Sequence, residues 1–354
     1  MAQDAYNITL AMRRRGIEAD LVVTNREYQG DVPTWENGDT PVWVKTVKVP
    51  KRRVLRDLVL VGKLGRLFPK YDLTFCHYPS SLQAYVTNAT YVPYDSGAIR
   101  YLPFSKNPLP PYRKHFLWTN ALLKLLKRSY RKAPVILFTN PDTLPIFREA
   151  DLDARFVPFA IDAERYSPKG DSHRESLVFF MPSRHHWIEK SNDKAIKAFA
   201  DFHKRFGGQM VLVNWGTDLE KSKEVVRKLG IESSVSYLEP MPKAELIEQY
   251  RNSDVVLDQF TLGSWGTATP EAMACGKPVI MYYNSAVVKD CFGSLPPILN
   301  SFSIGDIEKN MEECLSRDFR RTVGQKSREW IKKTHDPDLV VDIHLDVAEQ
   351  VINR

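Results

Sequence analysis

The chain has 354 residues, a net charge of +7 and 43% hydrophobic residues, a length that holds two domains, each able to bury its own core. Its four cysteines, Cys76, Cys275, Cys291 and Cys314, are widely spaced and form no C-x-x-C pair, which argues against a disulfide framework or zinc site and fits a reducing compartment. No apolar run approaches the ~18 residues of a membrane span, and the N-terminus lacks the apolar stretch of a signal peptide.

In chain order, residues 4–15 read as a helix and 19–24 (ADLVVT) as a strand. Residues 42–49 read as extended, 54–67 as a helix, and 72–77 (DLTFCH) and 90–93 as strands. Residues 135–138 (VILF) read as a further strand, Asn140-Pro141-Asp142 as the opening of a helix, and 155–159 as a strand. Alternating strands and helices imply a doubly wound parallel sheet, whose ligands sit at the C-terminal edge. His77 ends a strand at that edge, and Tyr94-Asp95-Ser96-Gly97 follows another. A linker between domains is expected at 166–176 (YSPKGDSHRES), which contains Pro, Gly and Ser.

Residues 1–170 carry a net +10 and the remainder −3. Much of the basic character lies in 51–56 and in 112–132 (YRKHFLWTNALLKLLKRSYRK). A basic amphipathic helix either lies on an anionic bilayer or packs its apolar side on its own domain, and the pattern leaves both open. No nucleic-acid motif accompanies the charge, so nucleic acid is not expected as a partner.

Residues 176–202 read SLVFFMPSRHHWIEKSNDKAIKAFADF. Leu177 to Met181 is a short apolar run, a buried parallel strand. Arg184 and Lys190 lie six residues apart on the way into an amphipathic helix. A guanidinium fork and a mobile ammonium together suit a diphosphate; alternatively, they belong to a solvated basic loop. His185 and His186 lack the spacing of a helical metal pair, and no metal is expected.

Residues 251–280 read RNSDVVLDQFTLGSWGTATPEAMACGKPVI. Val255, Val256 and Leu257 form a short strand, a loop containing Gly263 and Gly266 follows, and a helix opens at Pro270 and stops at Gly276 and Pro278. Backbone N–H groups from Gly266 through Thr267 to Ala268 face the space after the strand, where a phosphate can sit. Glu271, in the first turn, either complements the helix dipole or accepts hydrogen bonds from the hydroxyls of a ribose in that loop.

Joined, these two segments resemble the C-terminal domain of retaining glycosyltransferases of the GT-B fold, family 4 (glycosyl transferases group 1). That family has a Gly-Arg strand end and a Lys-Gly helix start, then Glu-x7-Glu followed by Ala-Met-Ala-x-Gly-x-Pro-Val. Here Ser183-Arg184 and Lys190-Ser191 stand for the first pair and Glu271-Ala-Met-Ala-Cys-Gly-Lys-Pro-Val-Ile for the second. The good match covers about 176–283; elsewhere it is one of pattern. One departure is clear: the upstream glutamate of the motif falls on Gly263, which puts the sugar contacts in doubt. Asp258 and Gln259, at the strand end, are polar groups for the same space.

The resemblance implies an α/β fold of two Rossmann-like doubly wound domains facing a cleft. The first strand of the N-terminal domain is apparently missing, because the chain opens on what looks like the helix after it. The domains are expected at 1–168, with 336–354 crossing back, and at 169–335. The implied activity is that of a retaining, metal-independent, hexosyltransferase-type enzyme. It moves a sugar from a nucleotide-diphosphate sugar to a lipid-linked, glycan or small-molecule acceptor, with no cofactor. Arg184 and Lys190 would hold the diphosphate and act in catalysis with His77 and Asp258. Gly266, Thr267, Ala268 and Glu271 would complete the donor site, with Asp95 and Gly97 on the acceptor side. A cytoplasmic location is expected, peripheral on an anionic membrane surface if the basic helix docks there. The alternatives are a catalytically degenerate binding or partner subunit and a nucleotide-sugar epimerase of the same architecture.

Overall fold

A computed structural model describes residues 2–24, 41–49, 53–78, 80–102, 104, 118–169 and 176–353; of these, the side chains of 2, 3, 24, 53–58, 61 and 118–122 lie outside the description. The chain divides into two compact units, Met1–Tyr28 with Trp35–Phe159 and Pro337–Arg354, and Gln29–Thr34 with Ala160–Asp336. The chain therefore changes unit at 159–160. The described part of the expected linker belongs to the second unit, where Tyr166 is buried, and 170–175 lie outside the described residues.

The first unit runs α1 (Ala2–Arg14), β1 (Leu21–Thr24), β2 (Val44–Val47), α2 (Arg53–Leu67), β3 (Thr74–His77), α3 (Ser81–Val86), β4 (Tyr91–Asp95), α4 (Trp118–Lys132), β5 (Ile136–Phe138), α5 (Leu144–Glu149) and β6 (Ala154–Phe156). All its strand pairings are parallel. The strands form a separate β1–β2 pair and a four-stranded sheet in sequential order β3-β4-β5-β6. Within that four-stranded sheet the strands follow chain order and every crossover steps the same way. On α1, Asp4, Ile8, Ala11 and Met12 are buried, the i, i+4, i+7, i+8 stripe of a helix laid on a core.

The second unit runs β7 (Val178–Met181), α6 (Trp187–Lys190), α7 (Asn192–Phe206), β8 (Gln209–Val213), α8 (Leu219–Leu229), β9 (Val235–Leu238), α9 (Lys243–Asn252), β10 (Val255–Leu257), α10 (Ala268–Ala274), β11 (Val279–Met281), α11 (Ser285–Phe292), β12 (Leu299–Asn300), α12 (Ile304–Glu313) and α13 (Arg317–Thr334). Its six parallel strands follow the order β12-β11-β10-β7-β8-β9. The order reverses between β7 and β10, and their connections diverge there to leave a crevice at the strand ends. The strands are apolar on both faces because helices cover both. Phe179, Met181, Ile196, Phe199, Phe202, Leu212, Leu257 and Ile307 share one core. The chain then returns to the first unit as α14 (Pro337–Ile352), whose buried Val340, Val341, His344, Val347 and Val351 form a helical stripe.

Helix α10 starts at Ala268, so Pro270 is its third residue and not its first. It ends at Gly276, whose φ of 71° is the left-handed stop that only glycine adopts without strain. Helix α13 lies directly against that stop: a Cβ on Gly324 would sit 2.0 Å from the Gly276 carbonyl oxygen. Alanine in place of Gly324 gains about 1 kcal/mol of helix propensity, but here it would have to push two backbones apart. We expect Gly324→Ala to lower stability by about 1–3 kcal/mol, the usual cost of overpacking, in urea denaturation. An unchanged or raised midpoint would mean that α13 shifts freely.

Candidate functional site

Strands β7 and β10 pair at Val255↔Phe179 and Val256↔Phe180, which places the loops after them side by side. Arg184 lies in the loop after β7 and Lys190 ends α6; Asp258 directly follows β10. Lys190 Nζ lies 3.4 Å from Asp258 Oδ1, and Thr269 Oγ1 donates to Asp258 Oδ2 at 2.9 Å. Ser183 Oγ donates to the Asp258 carbonyl at 3.2 Å, and Phe260 N–H to the Lys190 carbonyl at 3.1 Å. Asp258 is 1% exposed, so its carboxylate is held by these partners and not by water. Arg184 donates to Glu189 Oε2 at 2.6 Å. Each expected diphosphate ligand thus already has a carboxylate. Arg184 is the more open, at 37% side-chain exposure against 18% for Lys190.

Glu271 is 1% exposed and turned towards α9. Its Oε1 accepts from Lys243 Nζ at 2.8 Å and its Oε2 from Tyr250 OH at 3.1 Å. Burial and the nearby Glu271 carboxylate raise the Tyr166 and Tyr250 hydroxyls well above the usual phenol range. Glu271 is thus engaged by side chains of α9, as a buried charge that needs cationic and hydroxyl partners requires. Lys243 and Tyr250 escaped the sequence reading. Their i, i+7 spacing puts them on one face of α9, but nothing local ties that face to Glu271. Gly266, Thr267 and Ala268 are partly exposed where α10 begins, with open space beside Gly266.

Gly263, where the family motif has glutamate, has φ 77°, and a Cβ there would meet Asn284 Cβ at 3.3 Å. The backbone here favours glycine on conformational grounds. Gln259 does not reach outward. Its Oε1 accepts from Thr261 N at 3.1 Å and Leu262 N at 2.7 Å, and its Nε2 donates to the Tyr282 carbonyl at 2.9 Å and to the Ser264 carbonyl.

In the first unit, Asp95 is fully buried. It accepts from Gly97 N at 2.7 Å, Ile99 N at 3.0 Å and Tyr130 OH at 2.8 Å. Burial raises its carboxyl and these bonds oppose the rise. Gly97 has φ 94°, and a Cβ there would lie 2.0 Å from the Arg100 guanidinium, which makes a bidentate pair with Asp142 at 2.6 Å on both arms. Asp95 and Gly97 thus build a turn, so their carboxylate and backbone are engaged internally. The His77 ring centroid lies 4.3 Å from that of Tyr94, the rings tilted by 39°, and Tyr94 OH donates to Asp4 Oδ2 at 2.8 Å. Among the described residues no group of three or more His, Cys, Asp or Glu is placed to hold a metal.

Three histidines are neutral in this fold. Burial pushes His77 down to about 3, and His185 and His344 to about 4. Below their ordinary 6.5 the unfolded chain binds protons that the folded chain does not, so stability falls as pH falls through that range. The loss is at most about 1.4 kcal/mol per pH unit per histidine. We expect urea midpoints clearly lower at pH 5 than at pH 7; equal midpoints would mean that these imidazoles are hydrated in the folded state.

Residues 162–330 match the family model described as glycosyl transferases group 1. A D-inositol 3-phosphate glycosyltransferase of Corynebacterium jeikeium is 29% identical over 144 residues, covering 36% of this chain and 34% of that protein. The match thus spans about a third of the relative's length. Two solved structures share the fold at a TM-score of 0.70: sucrose-phosphate synthase from Thermosynechococcus elongatus (16% identical, covering 98% of this chain and 92% of that one) and Anabaena HepE in complex with UDP and glucose (15%, 98% and 95%). The chain has the α/β architecture of the GT-B glycosyltransferases.

Proposed function

We propose that this chain, whose residues 162–330 are those of the glycosyl transferases group 1 family, moves a hexosyl group from a nucleotide-diphosphate sugar to a glycan, lipid-linked or small-molecule acceptor with retention and without a metal. The observation that carries the reading is that Arg184 and Lys190 both follow β7 at its switch point with β10, where Lys190 pairs with Asp258 and Asp258 accepts from Thr269 of α10. The UDP and glucose of the HepE complex support the donor class.

In this reading Arg184 exchanges Glu189 for phosphate oxygens, and its fork geometry suits the exchange. Lys190, steered by Asp258 and Thr269, supplies a point charge to the leaving diphosphate, where negative charge builds in the transition state. Asp258 serves catalysis through Lys190, as a positioning residue. Glu271 accepts from the ribose. His77, neutral, is a hydrogen-bonding group offered by the first unit. The role of Asp95 and Gly97 is to hold the shape of the acceptor-side turn. Gly263 favours one second reading, a binding subunit without transfer. Incubating the protein with donor alone and with acceptor separates transfer from that reading, and product analysis without acceptor reveals an epimerase.

Loss of one charge-assisted partner should weaken nucleoside-diphosphate binding by roughly 1.5–3 kcal/mol. We expect calorimetry of Arg184→Ala and Lys190→Ala to show this; unchanged affinity in both rules the diphosphate site out.

The first unit also offers a membrane surface. Residues 51–52 and 112–117 of the expected basic segments lie outside the described residues, as do the side chains of 53–58 and 118–122. On the described part of α4, Leu126 and Tyr130 are buried, while Lys124, Arg128, Arg131 and Lys132 are exposed. No helix of the described residues is long and apolar enough to cross a membrane. The attraction in this proposal is electrostatic, about 1 kcal/mol per Lys or Arg near an anionic surface. Co-sedimentation with liposomes should require anionic lipid and weaken sharply as salt is raised. Equal partitioning to neutral and anionic vesicles, or none to either, refutes it.

A further inference from the structure

We propose that Lys243 is a specificity-determining residue that reads the donor ribose jointly with Glu271; this rests on the donor-site reading above. The argument starts from access. Glu271 has 2% side-chain exposure, and Lys243, at 14%, is the more accessible member of the pair. The carboxylate accepts from Lys243 on Oε1 and from Tyr250 on Oε2, which leaves acceptor capacity on both oxygens. An ammonium has three N–H donors. Among the described residues Glu271 is the hydrogen-bond partner of Lys243, which leaves the ammonium further N–H donors for a ligand.

A sugar hydroxyl is both donor and acceptor. Lys243 can donate to the hydroxyl oxygen while the hydroxyl hydrogen goes to the Glu271 carboxylate. That arrangement suits a ribose hydroxyl and leaves the pair unmatched against a deoxyribose. A site built to hydrogen-bond a hydroxyl discriminates strongly against the analogue that lacks it. The backbone fixes where the pair stands. Lys243 is the first residue of α9 and follows Pro240-Met241-Pro242. Glu271 is held on α10, whose last carbonyl, Ala274 O, accepts from Arg328 at 2.6 Å.

The test measures binding of UDP, GDP and ADP and of their 2′-deoxy counterparts by calorimetry. The proteins are wild type, Lys243→Met, Lys243→Gln, Lys243→Arg and Glu271→Gln, each first checked for an intact unfolding transition without ligand. For the diphosphate that binds, we expect the wild type to favour ribose over deoxyribose by tenfold or more. Lys243→Met should bring that ratio to within about threefold, and Lys243→Arg should retain part of it. Affinity for the deoxy form should change little, which a merely structural loss would not produce. If Lys243→Met fails to fold, Lys243→Gln carries the same comparison. A wild-type ratio in the lysine variants, with the ratio lost in Glu271→Gln, overturns the role of Lys243 and leaves the donor-site reading standing. Failure of wild type to bind any of the nucleotides overturns that reading and this proposal with it.

Discussion

The reversal of strand order between β7 and β10 is the constraint on which the chemistry of the second unit depends. Right-handed crossovers starting from neighbouring parallel strands and stepping in opposite directions must leave by opposite faces. Helix α7 packs with α8 and α12, and α10 packs with α13. The strand ends between them cannot be roofed by either connection. Residues just past β7 and β10 are therefore free to carry charge close to a dry core. Arg184 and Asp258 occupy those positions and Lys190 the end of the following α6, and strand side chains just before them, such as Phe180 and Val256, are fully buried.

Charge in so apolar a setting has to be matched locally. The two units do so differently. In the first, Asp95 and the Arg100–Asp142 pair are enclosed with their hydrogen-bonding groups engaged by their own turns, an arrangement that fixes shape and offers little to a ligand. In the second, Lys190–Asp258 and Lys243–Glu271 each combine a sealed carboxylate with a more accessible ammonium. Such pairs keep their geometry while presenting a cation outward. A carboxylate left without its cation in so buried a place would be strongly destabilising.

Much of the architecture was legible in the sequence because apolar runs of parallel strands are short, continuous and bounded by Gly, Pro or Asn. The strands expected at 19–24, 72–77, 135–138 and 177–181 appear within a residue or two of those bounds. Arg184, Lys190 and Asp258 were legible because position relative to a strand end is a local property. The direction of Glu271 was not, since it depends on α9, whose packing no local pattern encodes. The separation of β1–β2 from the four-stranded sheet was equally invisible: strand order is set by which edges meet, and the element string is the same either way. Gly263 read as a lost carboxylate, while its φ of 77° shows a backbone requirement that composition cannot reveal.

Gln259 carries a consequence for timing. One buried amide bridges its own loop at Thr261, Leu262 and Ser264 and fastens it to the carbonyl of Tyr282 beyond β11. The loop beside Asp258 is thereby set before any visitor arrives. Loops that must order on binding lose conformational entropy at that moment and slow the approach to the bound state. A loop fixed in advance, as by the Gln259 amide here, avoids that delay. Arrival at this edge would then be governed by diffusion and by the field of the nearby cations, and residence by how firmly Arg184 and Lys190 exchange their present carboxylates for another anion.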